Sequence, residues 1–167
     1  PIPYSHKLHA GDMGMDCRYC HTGVEVTATA GVPPTQTCMN CHNMVKTESD
    51  SIKPIIESWN SGIPIEWVRI HKTPDFAYFD HSIHINRNIG CESCHGRIDQ
   101  METVMLSKPL SMKWCLDCHR DPTSHIRPDG NVTAMGWTPG EGQTDWATEF
   151  ISTNKINPPT DCSGCHR

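Results

Sequence analysis

The chain has 167 residues, a formal net charge of −5 and a mean hydropathy of −0.52. Val, Ile, Leu and Phe together supply 28 of the 167 residues, fewer than a soluble domain needs to build its core from side chains alone. No basic run interleaved with aromatics is present, which argues against a nucleic-acid partner, and no stretch approaches the roughly 18 consecutive apolar residues of a membrane span.

In chain order, Tyr4-Ser5-His6-Lys7-Leu8-His9 comes first, with two histidines at i, i+3, a spacing that lets one helical turn present both imidazoles. Two Cys-x-x-Cys-His motifs follow, at Cys17, Cys20, His21 and at Cys38, Cys41, His42. A helix is expected next, capped by Asp50 or Ser51, with Pro54 in its first turn and Ile52, Ile55, Ile56 and Trp59 as its apolar stripe; Gly62 ends it. Residues 63 to 71 read as extended, with Ile65, Trp67 and His71 on one face. The opening pattern then recurs as Phe79-Asp80-His81-Ser82-Ile83-His84, followed by motifs at Cys91, Cys94, His95 and at Cys115, Cys118, His119. Asp99 to Leu106 is expected to form a short helix, and Ser111 to start the next. Residues 127 to 161, rich in Gly, Pro, Thr and Asn, read as a long wrapping loop before the last motif at Cys162, Cys165 and His166. The fold class is therefore mainly α with extensive irregular loops and little sheet.

The five motifs use all ten cysteines, and Cys-x-x-Cys-His is the attachment signature of c-type haem. The two thiols add to the porphyrin's vinyl groups, and the adjacent imidazole meets the iron from the same turn of chain. A zinc-ribbon reading pairs Cys17/Cys20 with Cys38/Cys41 and Cys91/Cys94 with Cys115/Cys118, but strands Cys162/Cys165 and leaves five histidines unexplained. Redox disulfides fail on the same histidines. Five covalent haem c groups follow, and they would supply the apolar mass that the composition lacks. Such attachment takes place outside the cytoplasm, so an export signal or anchor upstream of Pro1 is expected.

The repeat divides the chain into two dihaem units, 1–48 and 73–125, joined by a bridge at 49–72 and followed by a fifth-haem tail at 126–167. Haem contacts crossing those boundaries would make the whole chain a single domain. Once the five motif histidines are taken as proximal ligands, six others remain for the distal positions. His6, His9, His81 and His84 are the foremost candidates because of their repeated spacing, and His71 is the fifth, with Met135 and His125 as alternatives. A histidine or methionine in each sixth position makes a haem an electron carrier, whereas an open position permits chemistry.

The two His-x-x-His elements resemble those of the small multihaem cytochromes of the c3/c7 class. That resemblance implies that His6 serves the haem held by His21, and His81 the haem held by His95. The run from Trp67 through His71 and His81 to His84, then Cys91 to Gly96, then Pro109 to Arg120, is similar to the pentahaem cytochrome c subunit of alternative complex III. That family implies a compact multihaem fold at the periplasmic face of a bacterial membrane. It also implies an N-terminal anchor and, as partners, an iron–sulfur subunit, integral membrane quinol-binding subunits and a monohaem cytochrome c. The expected role is carriage of electrons from quinol oxidation, with no catalytic acid or base. A soluble c3/c7-type shuttle and a multihaem reductase with one open haem are the competing expectations.

Overall fold

The structure, a computed structural model, describes residues 1–166. Seven α-helices lie among them: α1 (Cys17–Cys20), α2 (Thr35–His42), α3 (Lys53–Ser61), α4 (His81–Ile85), α5 (Cys91–His95), α6 (Met112–Arg120) and α7 (Gln143–Thr153). A π-helical turn spans Lys7–Asp12, and 3₁₀ turns span Ile98–Gln100 and Cys162–Gly164. Among the described residues, β pairing is confined to two isolated antiparallel bridges, Ala77 with His166 and Ile89 with Ile126. The architecture is thus helical and irregular without a sheet, as its composition leads one to expect.

The side-chain core is small. Val24, Ile52, Ile55, Ile126 and Ala147 are its buried apolar members, while Val26, Val32, Met44, Val68 and Ile83 stay exposed. Local chemistry fixes several helix ends. Ser111 is the N-cap of α6 as expected, its hydroxyl accepting from the Trp114 amide at 3.4 Å. Gly62 ends α3 at φ 71°, a left-handed conformation that costs glycine nothing.

Four expectations need correction. The N-cap of α3 is Ile52 and receives no side-chain bond, because Asp50 is drawn instead into an ion pair with Lys53 at 2.6 Å. Residues 63 to 71 form no strand: the Trp67 amide turns back to the Ile65 carbonyl at 3.0 Å, and the Trp67 ring meets Tyr4 edge-on at 6.4 Å. The helix expected from Asp99 to Leu106 shrinks to Ile98–Gln100. Its groups are spent on tertiary contacts: the Met101 carbonyl accepts from the Lys7 amide at 3.0 Å, and the Asp99 carboxylate is held by Arg97 at 2.7 and 2.8 Å. Conversely, α7 lies inside the stretch read as loop, anchored by buried Ala147 and by Gln143, whose Nε2 donates to the Ile126 carbonyl at 2.8 Å.

The π-helical turn Lys7–Asp12 packs on Ile98–Gln100, and Gly11 lies at that contact. A Cβ at Gly11 would collide with the Asp99 backbone carbonyl, which has no freedom to rotate away. Gly11→Ala is therefore expected to cost about 1–3 kcal/mol in guanidinium unfolding of the haem-loaded protein. An unchanged midpoint would contradict this packing.

Candidate haem-binding sites

Each Cys-x-x-Cys-His motif folds as one tight turn. The His21 amide donates to the Cys17 carbonyl at 2.9 Å, and the His166 amide to the Cys162 carbonyl at 2.9 Å. The i, i+3 cysteines thus share one side of the turn and the histidine follows directly. Asp16 caps the first turn by accepting from the Arg18 amide at 2.9 Å, and Asp161 caps the last by accepting from the Gly164 amide at 2.9 Å. No disulfide joins any of the ten cysteines, and among the described residues no group of three or more His, Cys, Asp or Glu side chains converges as a zinc site requires.

The remaining histidines meet the motif histidines in a regular way. Ring centroids are 6.5 Å apart for His6–His21, 6.3 Å for His9–His42, 6.3 Å for His81–His95 and 6.2 Å for His84–His119. A metal–imidazole nitrogen bond is about 2.0–2.1 Å and the ring centre lies about 1.1 Å beyond it, so two imidazoles on opposite faces of one metal stand about 6.3 Å apart. Four pairs at this separation fit the two axial positions of a haem iron, with the Cys-x-x-Cys thiols beside each. Ring planes within a pair differ by 1° for His6–His21 and 11° for His81–His95, but by 64° and 37° in the other two.

The backbone prepares these rings. Nδ1–H of His21 donates to the Gly31 carbonyl at 2.7 Å, of His42 to Val45 at 3.0 Å, and of His119 to Pro159 at 2.7 Å. On the other side, His9 donates to Ser5 at 2.8 Å, His81 to Ala28 at 2.9 Å and His84 to Asp80 at 2.7 Å. A carbonyl can only accept, so the proton is held on Nδ1 and Nε2 keeps its lone pair for a metal. Burial, reinforced by neighbouring histidines, pushes both His6 and His95 down to about 4, which favours the same neutral form.

A further feature escaped the sequence reading. Tyr4 stacks on His9 at 4.5 Å and meets His6 edge-on at 4.9 Å; Phe79 stacks on His84 at 4.7 Å and meets His81 edge-on at 4.7 Å. An aromatic two residues ahead of the first histidine braces both imidazoles in each repeat. The repeated Tyr4 and Phe79 positions were the signal for it.

The fifth motif differs. His166 pairs through its backbone with Ala77, its ring lies 5.7 Å from Phe76, and the Cys165 carbonyl accepts from the Tyr78 amide at 2.7 Å. His71, expected as the fifth distal ligand, lies 4.4 Å from His95, with its Nε2 buried and without a hydrogen-bond partner. The irregular course of 63 to 71, tied to Tyr4 through Trp67, carries it to the third motif. Met135 borders a cavity of about 340 Å³ beside Met15, Asp16 and Cys17, at the first motif. His125 sits in a turn whose carbonyl accepts from the Gly90 amide at 3.3 Å, next to the third.

The arrangement agrees with comparisons to known proteins. Over 96 residues the chain is 34% identical to the menaquinone reductase, multiheme cytochrome c subunit, of Nitratidesulfovibrio vulgaris. The matched stretch is 57% of this chain and 45% of that relative, so the chain spans about half of the relative's length. The family model for cytochrome c7 and related cytochrome c matches residues 77–167. A match over more than half of the chain, ending on the fifth of the haem-attachment motifs, makes this protein a multihaem member of the cytochrome c7 and related cytochrome c family.

Proposed function

We propose that the chain binds five haem c groups and is the electron-transfer subunit of a membrane-bound quinol oxidoreductase of the alternative complex III kind. In this reading it works at the periplasmic face, receiving electrons through an iron–sulfur subunit and passing them to a monohaem cytochrome c or another periplasmic acceptor. The observation that carries it is the set of four imidazole pairs at 6.2–6.5 Å, since filled axial positions suit electron transfer and exclude substrate. The relative's name, a subunit of a menaquinone reductase, supports a quinone-linked complex.

The thioether cysteines are Cys17 and Cys20, Cys38 and Cys41, Cys91 and Cys94, Cys115 and Cys118, and Cys162 and Cys165. His21, His42, His95, His119 and His166 are the proximal ligands, and His6, His9, His81 and His84 the distal ligands of the first four sites in that order. His71, His125 and Met135 lie against the first and third motifs, and none of them is the partner of His166 in this reading. Bound haem c supplies a one-electron iron couple. The protein's own part is to fix both nitrogens on the first four axes and the proximal nitrogen on the fifth, to bury the rings and to keep other ligands out. No residue acts as a proton donor or acceptor.

Intact mass and the pyridine haemochrome assay should return five haems per chain, and the protein should co-purify with membrane subunits. Fewer than five equivalents defeats the haem count, and recovery as a detergent-free monomer defeats the complex. Removing a brace, by Tyr4→Leu or Phe79→Leu, should cost about 0.5–1.5 kcal/mol per lost aromatic pair and broaden two low-spin ferric EPR signals while five haems remain attached. An unaltered spectrum would show that the rings are held by their carbonyls alone.

A further inference from the structure

The spatial succession of the five sites is written in contacts between residues of different motifs. Within the first unit, one turn carries both His6 and His9, so the first and second sites share a wall; Tyr4 stands in it. Its ring stacks on His9 at 4.5 Å and meets His6 edge-on at 4.9 Å. The Asn40 amide donates to the Tyr19 hydroxyl at 2.9 Å across the same junction. Within the second unit, α4 carries His81 and His84 and joins the third and fourth sites in the same manner.

The two units meet through their first motifs. A short segment staples the motifs together: the Thr133 hydroxyl donates to Asp16 at 2.9 Å, while the Cys91 amide donates to the Val132 carbonyl at 3.0 Å. The loop after the first motif holds α4 in turn. The Ala28 carbonyl accepts both the His81 amide at 3.1 Å and its Nδ1–H at 2.9 Å, and Glu25 accepts from Asn86 at 3.0 Å. The fifth motif joins the other end: the Pro159 carbonyl, just ahead of it, accepts from His119 at 2.7 Å.

We infer that the sites follow one another in space in the order second, first, third, fourth, fifth, with the two units joined between the first and third motifs. The inference rests on haem occupancy of the five motifs as proposed above. Electrons, moving singly with no bond made or broken, would pass along a file whose order departs from the sequence order at its first two sites. The second and fifth sites are its termini, so donor and acceptor partners belong at those two ends.

Methionine in a distal position marks a chosen haem by a raised potential and a separate charge-transfer band. In the double variant H6M/H81M, the two marked haems should titrate as waves split further apart than in the single variants, because an electron on one raises the energy of the next. In H9M/H81M the marked haems should titrate as they do singly. Equal or greater splitting in H9M/H81M overturns the order. Should a variant fail to mature, the iron positions from cryo-EM of the wild-type holoprotein decide the matter: the first-motif iron should be nearest to both the second-motif and third-motif irons. A second-motif iron nearer to the third than the first-motif iron is would refute it. A haemochrome count below five would count against the occupancy, whereas normal occupancy with the wrong splitting counts against the order alone.

Discussion

An imidazole has two nitrogens, and a metal can use only one if the other is held. Six histidines of this chain commit Nδ1–H to backbone carbonyls at 2.7–3.0 Å, and the rest of the structure is arranged around supplying those acceptors. Gly31, Val45, Ala28 and Pro159 all lie in irregular stretches. A helix or strand would have spent their carbonyls on its own ladder. The scarcity of regular structure is therefore a consequence of ring orientation rather than a sign of loose packing.

The same constraint accounts for the thin side-chain core. Five buried apolar residues cannot stabilise 167 residues, and the fold is organised around paired rings instead. Tyr4 and Phe79 extend this organisation by packing against histidines rather than against one another. The one buried cation among the described residues, Arg127, is placed in the same spirit: it ion-pairs with Glu92 at 3.3 Å, lies over Trp137 at 5.0 Å and fills the space that Gly90 leaves beside the third motif. Removing Glu92 would leave the Arg127 guanidinium buried without its carboxylate partner.

The sequence disclosed whatever depends on short-range spacing. The Cys-x-x-Cys-His turns, the two His-x-x-His elements, the Ser111 cap and the Gly62 stop are local, and each appears where the residues indicate. His6, His9, His81 and His84 each stand 6.2–6.5 Å from a motif histidine. What was not legible depends on distant partners. His71 carries no local mark separating a ligand from a packing residue, and its course is set by Trp67 meeting Tyr4. The α7 helix was hidden by the glycines and threonines around it, its anchor being the Ile126 carbonyl 17 residues away. The helix expected at Asp99 failed because Met101 and Asp99 were already engaged by Lys7 and Arg97.

The bond from His81 to the Ala28 carbonyl spans 53 positions and ties the second His-x-x-His element to the loop after the first motif. A fragment encoding residues 73–125 by itself would lack that acceptor and deliver an unanchored ring.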